Sequence, residues 1–287
     1  MNSANFEYAA PQQLHEAIAL ISRTPGALPL AGGHSLLLDL RTRTVSAPLL
    51  VDLRRIKDLH GIHTVDGGIR VGAMTTCREL AENRLVNERY SALAEAAAAN
   101  GDAQVRARST LAGNLAYNHP AGDLQAAALV LRAVIHVVGS GGERAIPIDS
   151  FFLGPQRTDL AAGEIITHID FPAAPGAGSA YEKFKNPANG YAICGVAARV
   201  GPEAKGGECY VAVSGTLPSP GRLASVESQL AQKSLTASKI AKAAKLAETD
   251  YDYRSDLHAS AEYRAHLAAV LCERAVLRAA ERADLSG

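Results

Sequence analysis

Apolar positions along the chain recur with two periods, and the alternation between them predicts most of its elements. Leu14, Ala17, Ile18 and Ile21 are spaced as one face of a helix, with Pro11 suited to its first turn and Pro25-Gly26 as its stop. Phe6–Tyr8, Leu28–Ala31 and Leu49–Leu53 have strand length, so the chain opens as a βαβ-like unit ending near residue 56. Ile62–Val65 and Ile69–Gly72, around Asp66-Gly67-Gly68, read as a hairpin. Thr76 can cap a helix over Cys77–Glu82, and an alanine-rich helix runs from Tyr90 to Asn100. Further on come a helix over Leu124–Arg132, strands Val134–Val138 and Arg144–Pro147 joined through Gly139–Gly142, and a strand Glu164–Phe171 with Ile165, Thr167 and Ile169 alternating. Ile148–Phe152 and Thr158–Gly163 read as connections.

Pro172–Gly178 has the composition of a linker. Beyond it the order changes to three strands, Ser179–Lys185, Tyr191–Val200 and Glu208–Thr216, with Gly201–Gly207 as a polar turn. Helices follow over Leu223–Gln232, Thr236–Glu248 and Ala259–Ala283. Strands succeeded by helices indicate an α+β unit.

Two stretches interrupt the periodic pattern. Leu30–Leu37 reads LAGGHSLL, and Thr110–Leu131 opens with TLAGN, crosses a polar turn at Asn118-His119-Pro120 and continues into an apolar run from Asp123. Glycine permits close backbone approach, and a turn feeding a helix can direct several N–H groups at one anion. Each motif is expected to follow a strand and feed a helix, so that together they hold a large phosphate-bearing ligand from two sides. Neither is a Rossmann fingerprint, because Gly-x-Gly-x-x-Gly is absent, nor a Walker loop, because no Gly-Lys-Ser/Thr follows. The residues leave plainer readings open: each glycine also fits an ordinary turn, and Ser35, Thr110 and Asn114 suit helix capping as well as phosphate. His34 fits a loop histidine, and Asp123 fits the first turn of a helix.

The chain of 287 residues favours two compact units over one. Lys plus Arg equals Asp plus Glu at 29 each, so no global field favours nucleic acid or an anionic membrane. No apolar run approaches the roughly 20 residues needed to span a bilayer. The start MNSANFEYAAPQQL lacks a basic segment followed by an apolar core, which makes the cytoplasm the expected location. Cys77, Cys194, Cys209 and Cys272 are dispersed without a Cys-x-x-Cys pair, so zinc and iron–sulfur ligation lack sequence support. No hydrolase set emerges around His119 and Asp123, and no residue is assigned as catalytic or metal-binding.

AGGHS at Ala31–Ser35, TLAGN at Thr110–Asn114 followed by Asp123, and YEKFKNPANGYAICGVAA at Tyr181–Ala198 together resemble the FAD-binding medium subunit of the molybdenum hydroxylase family, of the carbon monoxide dehydrogenase and xanthine dehydrogenase type. The family's second motif usually reads Thr-x-Gly-Gly-Asn, and Ala112 stands here in place of its first glycine. The resemblance implies an α+β fold: a two-subdomain FAD-binding region of the vanillyl-alcohol-oxidase or PCMH type, and a C-terminal three-stranded antiparallel sheet with helices. It divides the chain into residues 1–56, 57–172 and 179–287. It implies noncovalent FAD, contacted by Leu30, Ala31, Gly32, Gly33, His34, Ser35 and Leu36, by Thr110, Ala112, Gly113 and Asn114, and by Asp123, Ile166, Lys185 and Tyr191. In that reading Asp123 accepts from the ribose or adenine end, and Lys185 approaches the flavin ring from the second domain. The partners implied are a large molybdopterin-binding subunit and a small subunit with [2Fe–2S] clusters, in a dimer of heterotrimers that passes electrons to an external acceptor. Association with the inner face of the membrane would then come through the complex. A stand-alone flavin-dependent reductase of the same fold, or a non-redox nucleotide-binding assembly module, remains open on the same residues.

Overall fold

A computed structural model of the chain describes residues 5–201, 207–231 and 235–283. Residues 202–206 of the turn expected at Gly201–Gly207, and Gln232 of the helix expected to end there, lie outside them.

The first unit alternates strand and helix: β1 (Glu7–Ala9), α1 (Leu14–Arg23), β2 (Leu28–Leu30), α2 (Leu36–Thr42) and β3 (Leu49–Asp52). Its strands pair in parallel with β3 in the centre. All four residues of β3 are buried, as a continuous apolar run requires. Pro11 precedes the first turn of α1 rather than sitting in it. The carboxylate of Glu16 reaches back to the N–H groups of Gln12 and Gln13, so the helix starts three residues later than the proline suggests.

The next unit begins with the hairpin β4 (Ile62–Val65) and β5 (Gly68–Gly72), then passes through six helices. These are α3 (Cys77–Glu82), α4 (Arg84–Arg89), α5 (Ser91–Ala99), α6 (Ala103–Arg106), α7 (Leu111–Tyr117) and α8 (Leu124–Val130). Thr76 and Glu79 form a reciprocal cap on α3. Strands β6 (Val134–Gly139) and β7 (Gly142–Pro147), the small hairpin β8 (Phe152–Gly154) and β9 (Arg157–Thr158), and β10 (Ile165–Pro172) complete it. The antiparallel sheet has the order β4-β5-β10-β6-β7. Its inner face, with Val71, Ile135, Val137 and Ile169, packs on Leu93, Leu111 and Leu115 from the helices. Helices α4 and α6 and the β8–β9 hairpin fall where the sequence pattern indicates only connections; each is too short to show a period. A register shift between Ile166 and His168 interrupts the alternation expected along β10, so that Ile165 and Ile166 are both buried.

After the connection at 173–177, β11 (Gly178–Lys185), β12 (Ala192–Val200), β13 (Cys209–Ser214) and β14 (Gly221–Arg222) form an antiparallel sheet in sequence order. The two-residue β14 adds to the three strands expected. Helices α9 (Ala224–Leu230), α10 (Ala237–Ala244) and α11 (Ala261–Arg282) follow. Helix α11 packs across β11 and β12, while α8 lies against β12 and β13, which explains why every residue of β12 and α8 is buried. Arg264 on α11 is buried; its guanidinium donates to the carbonyls of Ile193 and Gly215 and pairs with Asp256. Among the described residues no helix is long and apolar enough to cross a membrane.

Candidate cofactor-binding site

A cavity of about 460 Å³ opens where the two units before the 173–177 connection meet the sheet that follows it. One wall is the turn after β2. That strand ends when Leu30 O accepts from Leu53 N at 3.0 Å, and the chain reverses through Ala31–Ser35 into α2. Gly32 is required by contact, since a Cβ there would lie 2.1 Å from Arg108 O. Gly33 is required by conformation, at φ +80°. Ser35 precedes α2 without a side-chain cap. Among the described residues no protein acceptor meets the backbone N–H groups of Gly32, Gly33, His34 or Ser35. Leu30, Ala31 and Leu36 line the cavity beside them, and the His34 side chain is exposed.

The second motif is built differently from the expected strand–loop–helix. No strand precedes it: α6 does, and Thr110 caps α7, so Ala112, Gly113 and Asn114 are helical. Thr110 Oγ1 accepts from Gly113 N at 3.1 Å, and Thr110 O accepts from Asn114 N at 3.0 Å. Those two N–H groups are therefore engaged within the protein and are not available to an anion. The Asn114 amide donates to Ser109 Oγ and Thr110 O and accepts from Asn100. Gly113 nevertheless faces the first motif, because a Cβ there would sit 3.7 Å from that of Ala31 and 2.8 Å from Thr110 Oγ1. Ala112 is buried in the core of the helical layer.

Asp123 lines the cavity but is 3 % exposed, and both of its oxygens are taken from the C-terminal sheet. Tyr181 donates to Oδ1 at 2.7 Å and Lys183 Nζ to Oδ2 at 2.9 Å; Lys183 also donates to Ala99 O. Burial raises the Asp123 carboxyl to about 6, against the opposing pull of Lys183. Ile166 is buried against the cavity, and Tyr191 stands half-exposed at its mouth, just before β12. Lys185 is not brought to the site. A bulge between Phe184 and Lys185 takes it out of the β11 register, and its side chain is exposed. The lysine that reaches inward is Lys183.

The Asn118-His119-Pro120 turn supplies contacts that local sequence does not reveal. Asn118 is fully buried at φ +44° and donates to Gly154 O and Ser219 Oγ, while Pro120 O accepts from Gly215 N. His119 and Tyr117 line the cavity. No lysine or arginine side chain among the described residues lines it. Its acidic residues are paired from outside, Asp123 by Lys183 and Glu164 by Arg144. Elsewhere, His136, His168 and Asp170 cluster on the outer face of the five-stranded sheet. Arg70 grips Asp170 with two bonds of 2.8 Å, and the two imidazoles stack at 4.2 Å, so their in-plane lone pairs run side by side instead of converging on one ion.

Residues 4–174 match the family described as the FAD binding domain in molybdopterin dehydrogenase, and residues 179–279 match the CO dehydrogenase flavoprotein C-terminal domain. The chain is 35% identical over 277 residues to the carbon monoxide dehydrogenase medium chain of Hydrogenophaga pseudoflava, covering 94% of this chain and 96% of that one. It is 34% identical over 288 residues to the corresponding chain of Afipia carboxidovorans, covering 99% of each. Among solved structures it is similar to a chain of the H. pseudoflava carbon monoxide dehydrogenase lacking the Mo-pyranopterin moiety. The TM-score there is 0.93 at 34% identity, over 99% of this chain and 100% of that one.

Proposed function

The chain belongs to the FAD-binding medium-chain family of molybdenum-dependent oxidoreductases, and on that premise we propose that it holds FAD noncovalently and conducts electrons between partner subunits and an external acceptor. The observation that carries this reading is the set of backbone N–H groups without a protein acceptor at Gly32–Ser35, in residues that line the main cavity, with Arg54 and Arg108 near Gly32 and Gly33 on a smaller adjoining one. A diphosphate there is neutralised by backbone dipoles, as the chemistry of such a cradle allows. The close packing of Gly32 on the Arg108 backbone supports the fit, because any side chain at that position would displace the turn that carries these N–H groups. Bound FAD supplies the exchange between one-electron carriers and two-electron acceptors.

The roles of the chain's own residues follow from their placement. The first motif binds the pyrophosphate. Helix α7 brings Gly113 against Ala31 and sets the width of the cavity instead of donating to the phosphates. Asp123 is held in the cavity wall by Lys183 and Tyr181, where it would border the ribose or adenine end of FAD. Ile166 would supply apolar contact to the bound group and Tyr191 would cover it at the cavity mouth. The electron source is a small subunit with [2Fe–2S] clusters, fed by a large molybdopterin subunit, in a dimer of heterotrimers.

The test is to denature the purified chain and analyse the supernatant, then to assay the chain alone and with its co-purifying partners. FAD released to the supernatant, with turnover of aldehyde, carbon monoxide or N-heterocycle only in the complex, is the expected result. Flavin retained on the precipitated chain overturns noncovalent binding, and substrate turnover by the metal-free single chain overturns the subunit role.

A further inference from the structure

His119 is the central ring of a stack in the cavity wall. Tyr117 stacks with it at centroids 6.1 Å apart and planes 4° from parallel, and Tyr191 at 4.9 Å and 22°. Its edge is also fixed: Ala121 N–H donates to His119 Nδ1 at 3.1 Å. A neutral imidazole whose Nδ1 accepts carries its proton on Nε2. Burial, assisted by the charge of Arg254 and opposed by Asp39, holds His119 below the ordinary histidine range and so favours the neutral ring. Nε2–H meets no protein acceptor among the described residues, yet it is not a buried orphan. It is the polar edge of a ring that lines the cavity.

The turn carrying this ring is tied to two other segments. Asn118 is bonded to Gly154 and Ser219, and Pro120 to Gly215. A side chain stacked with two rings, held at one edge and through its flanking residues loses little further freedom when it makes one more bond, which is the condition for an effective ligand contact.

We propose that His119 is a cofactor-positioning residue, whose Nε2–H donates to an acceptor atom of the bound flavin nucleotide while the Tyr117–His119–Tyr191 stack fixes that donor between the two halves of the chain. The inference rests on the FAD reading and deepens it by adding a donor outside both glycine motifs.

The test titrates the full-length chain with FAD, following quenching of flavin fluorescence, in wild type, His119→Leu and His119→Gln. Leucine keeps bulk without a donor, whereas the glutamine amide places an N–H near the position of Nε2. The expected result is a Kd raised about tenfold by leucine and returned to within about threefold of wild type by glutamine. In parallel, 15N-labelled histidine in wild type should show the His119 Nε2–H tautomer, with its resonance shifting on addition of FAD. Leucine binding as tightly as wild type, or glutamine no better than leucine, overturns the proposal. Should the leucine variant fail to fold, an Nε2 resonance unmoved by saturating FAD overturns it equally. Wild-type chain that binds no FAD sinks the underlying reading instead.

Discussion

The turn at Gly32–Ser35 and the helix start at Thr110–Asn114 face each other across the same cavity with opposite use of their backbone. At the first, the N–H groups stay unpaired and both glycines are demanded by geometry, one by a neighbouring carbonyl and one by a positive φ. At the second, Thr110 takes up the N–H groups of Gly113 and Asn114, and the Asn114 side chain is spent on Asn100 and Ser109. A glycine motif beside a cavity is therefore an anion cradle only if its donors have no better partner in the protein. The first motif is poised for a ligand. The second is a rigid wall that positions the first.

The sharpest way to break this contrast is Gly32→Val. Its Cβ would lie 2.1 Å from Arg108 O and 2.8 Å from Arg108 C, both backbone atoms that cannot swing aside. The expected cost is about 3 kcal/mol of stability and at least about a hundredfold in FAD affinity. Denaturant unfolding and flavin content per chain measure the two. A variant with near-normal flavin content would remove the first motif from the site.

Asp123→Asn probes the second region through its buried polar contacts. Burial pushes the folded carboxyl up from its ordinary 3.8 to about 6. A raised folded-state value means that the folded chain binds the proton more tightly, so this contribution to stability is complete below about 3.8 and lost as pH rises through about 6. The asparagine variant lacks that linkage. The stability gap between wild type and variant should thus widen as pH falls from 6 towards 4, by on the order of 3 kcal/mol. Comparing the two chains at each pH cancels the opposite trend from Asp52, Asp170 and Glu164, whose carboxyls lie below their ordinary values. A gap that is flat with pH would mean that Lys183 cancels the effect of burial, and one that narrows as pH falls that Lys183 outweighs it.

How far the sequence carries depends on the range of the contacts. The first motif is legible because Gly-Gly after an apolar run and before an amphipathic one describes a local turn, and its geometry is set within a few residues. Thr110 is legible as a cap by the same logic. The helical state of Gly113 is not, since it depends on Ser109 and Thr110 being pinned by the preceding short helix and by Cys77, whose N–H donates to Ser109 O. Lys183 and Lys185 differ by two positions and share residue type. Which one reaches Asp123 is settled by how β11 packs on the helical layer, with Lys183 beside Tyr181 on the carboxylate and Lys185 past the bulge at the strand's end. The turn at Asn118–Pro120 is least legible, because its partners lie at Gly154, Gly215 and Ser219, far along the chain.

Thr110→Val sharpens the comparison from the side of the second motif. Valine keeps the shape of threonine but cannot accept from Gly113 N, so one helical N–H loses its partner. The expected loss is about 1 kcal/mol of stability. FAD affinity should fall by no more than about threefold, because that N–H serves the helix and not the ligand. A loss of FAD binding comparable to that of Gly32→Val would erase the distinction between the two regions.

Ala112→Gly has the smallest expected effect and bears most directly on how the second motif works. It restores the glycine pair common in the family, and a phosphate-binding loop would gain from it through closer approach of the backbone. Ala112 is the second residue of α7, 6 % exposed, packed in the core of the helical layer at the cavity wall. Removing its methyl leaves a small void and adds backbone freedom to the unfolded chain, together costing about 1 kcal/mol. FAD affinity should stay within about twofold of wild type, since no N–H is freed while Thr110 still caps the helix. Thermal unfolding and FAD titration of the same preparations separate these outcomes. A markedly tighter Kd with unchanged stability would show that the N-terminus of α7 opens towards the ligand, and would make both motifs cradles of one kind.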